Sequence, residues 1–242
     1  MKTTKKPTGY ILYRGKSLLN GKPIVVVAIL NSANGKTGNL VQTYILVDNG
    51  LSPVESARIL EDSAICGDCK HRRGKGGACY VNLGQGARAV MDGLMRGIYP
   101  FNPGQAAIEC TGRKVRLGTY GDPAAVPFNI WEKILEHSIG HTGYTHQWRK
   151  FKSPKSLKLM SLVMASADSE KDRIDAILQG FRTFRVRTSD ESILPGEFPC
   201  PASEEQGKKL QCDDCMACDG GISKKGSPVI VVHGSLANRF IN

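Results

Sequence analysis

Short hydrophobic runs rich in β-branched residues recur along the chain and predict β-strands. Two of them, residues 22–30 (KPIVVVAIL) and 40–47 (LVQTYILV), flank Asn34-Gly35, a dipeptide typical of tight turns. Residues 1–50 are therefore predicted to contain a hairpin or a small sheet. Five further runs predict strands at residues 114–120, 141–146, 157–166, 181–187 and 227–234.

Apolar residues at helical spacing fill most of the intervals between these strands. Ser52, Pro53 and Glu55 have the pattern of a capping box with proline at the first helical position, and the predicted helix leads to Cys66. Another predicted helix begins after Ser169 and is ended by a glycine. Two more helices are predicted at residues 85–97 and 127–138.

Strands that alternate with helices are typical of an α/β fold with a parallel sheet. We expect the sheet to be open or closed into a partial (β/α) barrel, with functional groups at the C-terminal ends of the strands. Residues 1–50 are predicted to be an N-terminal β extension. Residues 51–242 are predicted to be an α/β partial-barrel domain that includes a cysteine-rich segment at residues 200–221.

The compartment affects how the cysteines are interpreted. The longest apolar run, residues 24–30, is too short to cross a bilayer, and the N-terminus lacks the apolar core of a signal peptide. We therefore expect a cytoplasmic location and no membrane partner. Thiols stay reduced in the cytoplasm, so the 8 cysteines are not expected to form disulfides, and those that are clustered are expected to hold metal or a cluster.

The first cysteine group consists of Cys66, Cys69 and Cys79. Three thiolates would leave one iron of a [4Fe–4S] cluster open to a substrate or cofactor. If His71 is added, the same group becomes Cys3His, an ordinary structural zinc site. Both interpretations remain open from the spacing. Cys110 lies outside the group and is predicted to be a buried thiol that behaves as a small hydrophobic residue.

The second cysteine group contains a C-x2-C-x2-C run and one upstream cysteine: Cys200, Cys212, Cys215 and Cys218. Structural zinc usually takes two separated C-x2-C turns. Consecutive C-x2 steps are instead typical of ferredoxin-type clusters, whose fourth ligand is a remote cysteine followed by proline, as Cys200-Pro201 is. We favour an iron–sulfur cluster here, with zinc and unligated thiols as the alternatives.

The chain carries 33 Lys+Arg against 22 Asp+Glu, a formal net charge of +11. Such a charge favours polyanionic partners, either nucleic acid or a phosphate-bearing small molecule, although a merely soluble basic surface would give the same composition. Two short clusters supply the candidate nucleic-acid contacts, which are Arg72, Arg73, Lys75, Arg149, Lys150 and Lys152.

Side-chain alternation along residues 141–146 places Tyr144 and His146 on one face of the strand and His141 on the other. Because His146 ends the strand and is followed by Trp148 and Arg149, the segment could hold a phosphate or a nucleotide. An ordinary half-buried strand end is the alternative.

The order of several short motifs resembles the phage "gene product 88" family. The motifs are CGDC…GACYV, VRLGTYGDP, HTGYTHQWR, MASAD, FRVR and CP…CDDCMAC, and they span roughly residues 65–221. That family in turn resembles radical S-adenosylmethionine (SAM) enzymes, which have a partial (β/α) barrel with a three-cysteine cluster near the first strand. A phage origin would place the protein in the cytoplasm of a bacterial host.

The resemblance implies a role for each group of residues. The first cysteine group would hold a [4Fe–4S] cluster, and the second would hold an auxiliary cluster. Tyr120, Gly121, Asp122 and Pro123 resemble the Gly-Gly-Glu-Pro element whose backbone binds the amino group of SAM, and Ser166 and Asp168 resemble groups that reach its carboxylate or ribose. From the residues alone, Gly121 and Asp122 fit equally well a strand-to-helix turn with Asp122 as the cap.

Two functions are therefore expected. The first is an iron–sulfur enzyme of radical SAM type that acts on a nucleotide or nucleic acid. The alternative is a non-enzymatic nucleic-acid-binding phage protein stabilised by zinc or by clusters. The spacing C-x2-C-x9-C departs from the C-x3-C-x2-C common in radical SAM enzymes, so the cluster loop must follow a different path.

Overall fold

Nine β-strands form one sheet in the computed structural model, which describes residues 6–32, 34–152, 157–221 and 226–240. Their spatial order is β1-β2-β3-β4-β5-β6-β7-β9-β8. The strands β1 to β3 are antiparallel, and every pair from β3 onward is parallel. The chain thus has a mixed α/β fold with a mostly parallel sheet. The strands are β1 (Gly9–Lys16), β2 (Pro23–Ile29), β3 (Val41–Val47), β4 (Lys114–Tyr120), β5 (Gly140–Thr145), β6 (Met164–Ala167), β7 (Thr183–Arg187), β8 (Glu197–Pro199) and β9 (Ser227–Val231).

The N-terminal strands extend the parallel sheet at one edge. The predicted hairpin is present as β2 and β3, but β3 also pairs with β4 on its other side. Both strands are buried almost throughout, as their continuous hydrophobic runs require. The sequence analysis did not identify β1, which pairs with β2 through an irregularity between Ile11 and Tyr13.

Seven α-helices lie in the described ranges, and none of them has the length and apolar character needed to cross a membrane. The predicted capping box is confirmed, because the Glu55 N–H donates to Ser52 Oγ while the Glu55 carboxylate accepts from the Ser52 N–H. Gly180 ends the sixth helix with φ +88°, as predicted. The helices are α1 (Pro53–Arg58), α2 (Ser63–Cys66), α3 (Gly86–Met95), α4 (Pro103–Glu109), α5 (Phe128–Leu135), α6 (Glu170–Leu178) and α7 (Cys212–Cys215).

Two segments differ from the sequence predictions. The predicted strand at residues 157–166 is wrong in its first half, because Leu159–Ser161 form a 3-10 turn and only Met164–Ala167 join the sheet. A mixed run of apolar residues fits either structure, and only its packing decides. Helix α4 was not predicted, although Asn102 accepts the N–H of Gln105 as its cap and proline occupies its first position.

Two fully buried tryptophans hold the backbone near the C-terminal ends of β4, β5 and β6 through their indole N–H groups. Trp131 of α5 donates from Nε1 to the carbonyl oxygen of Pro123, at 3.0 Å. Trp148, after β5, donates to the carbonyl oxygen of Ser166 in β6, at 2.9 Å. These bonds satisfy indole donors that would otherwise be buried without a partner. The first holds α5 against the C-terminal end of β4, and the second fixes the segment after β5 to β6.

Arg182, just before β7, holds the cysteine-rich segment against the sheet. The side chain is buried, and its guanidinium donates to Asp219 Oδ1 at 2.5 Å. It also donates to three carbonyl oxygens, those of Ala217 (2.9 Å), Gly220 (2.9 Å) and Gly226 (3.0 Å). One planar group with five donors thus replaces the regular secondary structure that this segment lacks.

We predict that Arg182→Lys lowers the free energy of unfolding by about 3 kcal/mol, because one ammonium group leaves several buried carbonyl oxygens unpaired. Denaturant unfolding followed by fluorescence measures the loss. Arg88→Lys is the matched control, since Arg88 is half exposed and pairs only with Asp92 one helical turn away. We expect it to change stability by less than about 1 kcal/mol. Equal losses in the two variants would contradict the anchoring role of Arg182.

Candidate functional site

A cavity of about 560 Å³ lies on one face of the sheet and reaches the C-terminal ends of the parallel strands. Its wall includes Arg116 and Tyr120 of β4 and Tyr144 of β5, at alternating positions that share a face. His146 and Asp168, directly after β5 and β6, also line it. This volume is typical of small-molecule sites, and the edge is where α/β proteins usually bind ligands.

Both cysteine groups line this one cavity. The seven residues are Cys66, Cys69, Cys79, Cys200, Cys212, Cys215 and Cys218. No disulfide joins any of the 8 cysteines, all of which lie in the described part of the chain. Cys110, the remaining cysteine, is fully buried in the hydrophobic core, as predicted, and burial raises the pKa of its thiol to about 11.

The loop that carries the first cysteine group is fixed by backbone hydrogen bonds. Helix α2 ends at Cys66, and the Cys69 N–H donates to the Cys66 carbonyl oxygen at 3.2 Å, which closes a turn. The Cys79 N–H donates to the His71 carbonyl oxygen at 2.9 Å, so the chain returns toward this turn. Gln147 also donates to the Cys66 carbonyl oxygen, which ties the loop to the end of β5.

The three thiols of the first cysteine group are close enough to interact electrostatically. Burial raises the pKa of Cys66 well above its usual value, and the neighbouring Cys79 and Cys69 raise it further. Burial likewise raises the pKa of Cys79, partly opposed by a hydrogen bond from the Val81 N–H. Three thiolates can therefore share this site only with a positive centre between them, since metal binding is what favours the charged form.

The second cysteine group lies on a short helix and an extended segment. Helix α7 begins at Cys212 and ends at Cys215, and Met216 then takes φ +48°, which turns the chain toward Cys218. Backbone hydrogen bonds fasten the group to three other segments: Cys212 N–H to Lys36 O at 3.0 Å, Cys200 N–H to Val229 O at 2.8 Å, and Gly143 N–H to Cys218 O at 3.1 Å.

Arg116 is the principal buried charge beside the second cysteine group. It is 6% exposed, donates to Tyr80 Oη at 2.9 Å and lies 5.0 Å from the centre of the Tyr144 ring. Burial would lower the pKa of its guanidinium, but Tyr80, Tyr144 and the thiols of Cys212 and Cys218 raise it overall. No carboxylate of the described residues forms an ion pair with it, so the neighbouring groups that could become anionic are the phenols of Tyr80 and Tyr144 and the thiols of Cys212 and Cys218.

The charge of Arg116 lowers the pKa of the neighbouring thiols of Cys212 and Cys218, against the effect of burial. Burial raises the pKa of Cys212, which Arg116 and Lys36 oppose. Burial also raises the pKa of Cys218 to about 12, opposed by a hydrogen bond from Tyr144. Two cations therefore lie where they would stabilise thiolates, although burial keeps the free thiols protonated.

His71, His146 and Asp168 form a third group, the His–His–Asp group. Nε2 of His71 lies 3.0 Å from Asp168 Oδ2, and Nε2 of His146 lies 3.6 Å from Asp168 Oδ1. Burial would raise the pKa of Asp168, but the contacts with His146 and His71 hold it well below its usual value. Within the described ranges, this is the only set of three or more His, Cys, Asp or Glu side chains whose ligand atoms all lie within 4.8 Å of one another.

The segment from Tyr120 to Pro123 is a structural junction as well as part of the cavity wall. Asp122 caps the 3-10 turn Pro123–Ala125 by accepting from the Ala124 N–H at 3.0 Å, which confirms the capping alternative. Burial raises its pKa despite this hydrogen bond. Gly121 has φ +83°, and a Cβ there would lie 2.7 Å from Ile45 Cβ. Tyr120, Gly121, Asp122 and Ser166 all line the cavity.

Three of the six basic candidates for nucleic-acid contact already pair with carboxylates. Arg72 is buried against Asp62, and the exposed Arg149 and Lys150 pair with Asp172 and Asp68. Lys75 and Lys152 are exposed, and Arg73 is half-buried. The basic surface is thus partly neutralised where the sequence analysis placed it.

Side-chain alternation in β5 was predicted well, since Tyr144 and His146 line the cavity and His141 does not. Sequence reasoning missed two features of the site, the buried Arg116 and the grouping of His71 and His146 with Asp168. The signal for Arg116 was present, because a charged residue in an otherwise apolar strand run must find a buried partner. The signal for the His–His–Asp group was only that two of its members end adjacent strands.

Comparison with known proteins adds no further constraint. No protein-family model, no curated protein and no solved structure matches this chain. The resemblance to the phage family stays a prediction, and the chemistry of the site follows from its own residues.

Proposed function

We propose that the protein binds two [4Fe–4S] clusters, one at each cysteine group, and acts as a radical SAM-type enzyme on a small molecule held in the cavity between them. The observation that carries this proposal is that seven cysteines from two distant segments line one cavity. When bound, a cluster with one iron free of protein ligands supplies the electron for reductive cleavage of SAM.

The sulfur atoms of the described cysteines do not have the spacing of a zinc site. Around one zinc ion, Zn–S bonds of about 2.3 Å in a tetrahedron hold the sulfurs about 3.8 Å apart. No three cysteine sulfurs lie within 4.8 Å of one another in the described part of the chain. A cubane binds each thiolate at a different iron, so its ligands stand farther apart than those of a single ion.

The buried charge also supports an anionic centre at the second cysteine group. Arg116 and Lys36 both interact with Cys212, and Arg116 has no carboxylate partner among the described residues. A buried cation without an anion is costly. A cluster or zinc ion with four thiolates carries net negative charge and would supply that anion, whereas four protonated thiols would not.

The order of the elements supports the partial barrel. Six of the seven parallel strands, β3, β4, β5, β6, β7 and β9, lie in chain order, which is the order of a (β/α) barrel rather than of a doubly wound sheet; only β8, at the edge beyond β9, departs from it. The first cysteine group follows the first of these strands, and the Tyr120–Pro123 element follows the second. This is where the resemblance to radical SAM enzymes expects them.

Of the residues proposed to contact SAM, two carboxylates already have other partners. Asp168 turns its carboxylate to His71 and His146, and Asp122 is occupied as a cap. The proposed SAM site therefore rests on the backbone at Gly121 and on Ser166, both of which line the cavity. A cavity of about 560 Å³ has room for a nucleotide-sized molecule, so we propose a small phosphate-bearing substrate rather than a nucleic-acid polymer.

We predict that anaerobically purified protein is brown, absorbs near about 400 nm and contains about eight iron and eight sulfide ions per chain. Replacing Cys66, Cys69 and Cys79 together by serine should halve both contents, and so should replacing Cys212, Cys215 and Cys218. Cys110→Ala is the control and should retain all the iron, because that thiol lies in the core. A colourless protein with about two zinc ions would favour the zinc-stabilised alternative.

Catalysis is tested separately by adding a low-potential reductant and SAM to the cluster-loaded protein. We expect 5′-deoxyadenosine to form, and we expect the serine variant of the first cysteine group to form none. If the wild type binds both clusters but yields no 5′-deoxyadenosine, the clusters are structural and the enzymatic half of the proposal fails.

We predict that Arg116→Leu destabilises the metal-loaded protein by about 3 kcal/mol more than the chelator-treated protein, because only the loaded form contains the anion that Arg116 offsets. Denaturant unfolding of both forms measures the difference. Tyr80→Phe is the control, since it removes the hydrogen bond to Arg116 but keeps the charge, and it should have similar effects on both forms. Equal losses for Arg116→Leu would place its anionic partner elsewhere.

A further inference from the structure

We propose that His71, His146 and Asp168 bind a single divalent transition-metal ion, Fe²⁺ or Zn²⁺, with an open coordination position that faces the cavity. This site goes beyond the two clusters proposed above, because its donors are nitrogen and oxygen and none of them is a cysteine. It also gives His71 a role different from the fourth ligand of a Cys3His zinc site.

The separations of the donor atoms fit one ion. Ligands at about 2.0–2.1 Å from a tetrahedral ion lie about 3.4 Å from one another. Nε2 of His71 lies 3.0 Å from Asp168 Oδ2 and Nε2 of His146 lies 3.6 Å from Oδ1 of the same carboxylate, so both imidazoles approach the carboxylate at about this separation. All three ligand atoms fall within 4.8 Å of one another.

One polar atom of each residue in the His–His–Asp group is buried without a hydrogen-bond partner among the described residues. Nε2 of His71, Nε2 of His146 and Oδ1 of Asp168 are buried and have no hydrogen-bond partner in the described ranges. His71 is 8% exposed and Asp168 is 3% exposed. Buried polar atoms are normally paired, so three unpaired atoms on residues whose ligand atoms lie within 4.8 Å of one another indicate an ion that satisfies all of them.

The backbone around each donor is held in place. The His146 N–H donates to Asp122 Oδ2 at 2.8 Å, so the cap of the preceding strand end also orients this histidine. The Asp168 N–H donates to Asp172 Oδ2 at 3.2 Å. The His71 ring stacks on Phe240 with centroids 5.0 Å apart and an interplanar angle of 10°. Such positioning of ligands is typical of metal sites.

A histidine–aspartate cluster without metal is the competing interpretation. Lys70 Nζ lies 3.8 Å from Asp168 Oδ2 and contributes positive charge, but it is 42% exposed and offers a weak interaction. In such a cluster a ring N–H should point at a carboxylate oxygen. The 3.0 Å contact of His71 is close enough for that bond but leaves Nε2 without a properly directed partner.

The donor set determines which ions fit. Two histidines and one carboxylate form the triad that binds non-haem Fe²⁺, and three protein ligands are also typical of catalytic zinc sites. Both kinds of site leave a position for water or a substrate oxygen. The cavity, which His71, His146 and Asp168 line together with the cysteines, provides access to that position.

Zinc is the probe for the test, because its X-ray absorption edge is separate from that of iron. Cluster-loaded protein is equilibrated with Zn²⁺, freed of excess zinc by gel filtration, and analysed for zinc, iron and sulfide. We expect Asp168→Asn and His146→Gln each to bind about one zinc fewer per chain than wild type, with unchanged sulfide. The zinc that is lost should show nitrogen and oxygen ligands at about 2.0–2.1 Å and no sulfur at about 2.3 Å.

His137→Ala is the matched control, since His137 is 45% exposed and lies outside the cavity wall, and it should retain the wild-type zinc content. Two results would overturn the proposal: wild-type zinc content in both site variants, or sulfur ligands around the zinc that they lose. Sulfur ligands would mean that His71 completes the first cysteine group. If the wild-type protein binds no clusters but still binds this zinc ion through nitrogen and oxygen, the proposed function fails and the His–His–Asp site stands.

Near-UV circular dichroism establishes whether each variant folds. If neither site variant folds, anomalous scattering at the zinc edge from crystals of the wild-type protein decides the question. A peak within bonding distance of His71, His146 and Asp168 would support the site, and zinc found only at cysteines would overturn it.

Discussion

The parallel alignment of the strands from β3 to β9 is the constraint on which the site depends. Because parallel strands end at the same edge of a sheet, the segments that follow them start close together, whatever their distance along the chain. This brings the first cysteine group, which follows β3, next to His146 after β5 and Asp168 after β6. The second cysteine group is held at the same cavity by Arg182 and by the backbone hydrogen bonds of its own cysteines.

Burial disfavours the charged forms of the cavity thiols and of Arg116, and no carboxylate of the described residues offsets the charge of Arg116. Burial raises the pKa of five thiols in the cavity wall, those of Cys66, Cys79, Cys200, Cys212 and Cys218. Beside them the wall holds the buried cation of Arg116. With all thiols protonated, that cation has no anionic partner among the described residues. Metal binding releases the thiol protons and leaves a centre of net negative charge. Binding of the proposed clusters would therefore satisfy both the thiols and Arg116, and it would link the stability of this half of the molecule to cluster occupancy.

The sequence predicted those features that depend on local spacing. The capping box at Ser52, the end of α6 at Gly180 and the alternation of Tyr144 and His146 follow from a few neighbouring residues, and all are confirmed. The 3-10 turn Leu159–Ser161 was mistaken for a strand because its apolar pattern fits both. Strand β8 is three residues long and carries too little pattern to be recognised.

The site was predicted in the same uneven way. Cysteine spacing within each group identified seven residues of the cavity wall, but nothing in the spacing indicated that the two groups would share one cavity. The His–His–Asp group was beyond local reasoning, because its members come from three loops and meet only through the sheet. His71 illustrates the difference. By sequence it lies between Cys69 and Cys79 and belongs with them, whereas in space its ring nitrogen faces a carboxylate.

Because His71 pairs with Asp168 and not with the cysteines, the cavity has two kinds of donor with different metal preferences. Thiolates are soft ligands that select iron–sulfur clusters or zinc, whereas imidazole and carboxylate accept harder divalent ions and leave them exchangeable positions. His146 contacts both sets, since the neighbouring Cys69 and Asp168 each raise its pKa against the effect of burial. An ion at the His–His–Asp group would therefore lie beside the first cysteine group without sharing its sulfurs. The segregation of donors by chemistry, rather than by distance, is what would keep two metal centres distinct within one cavity.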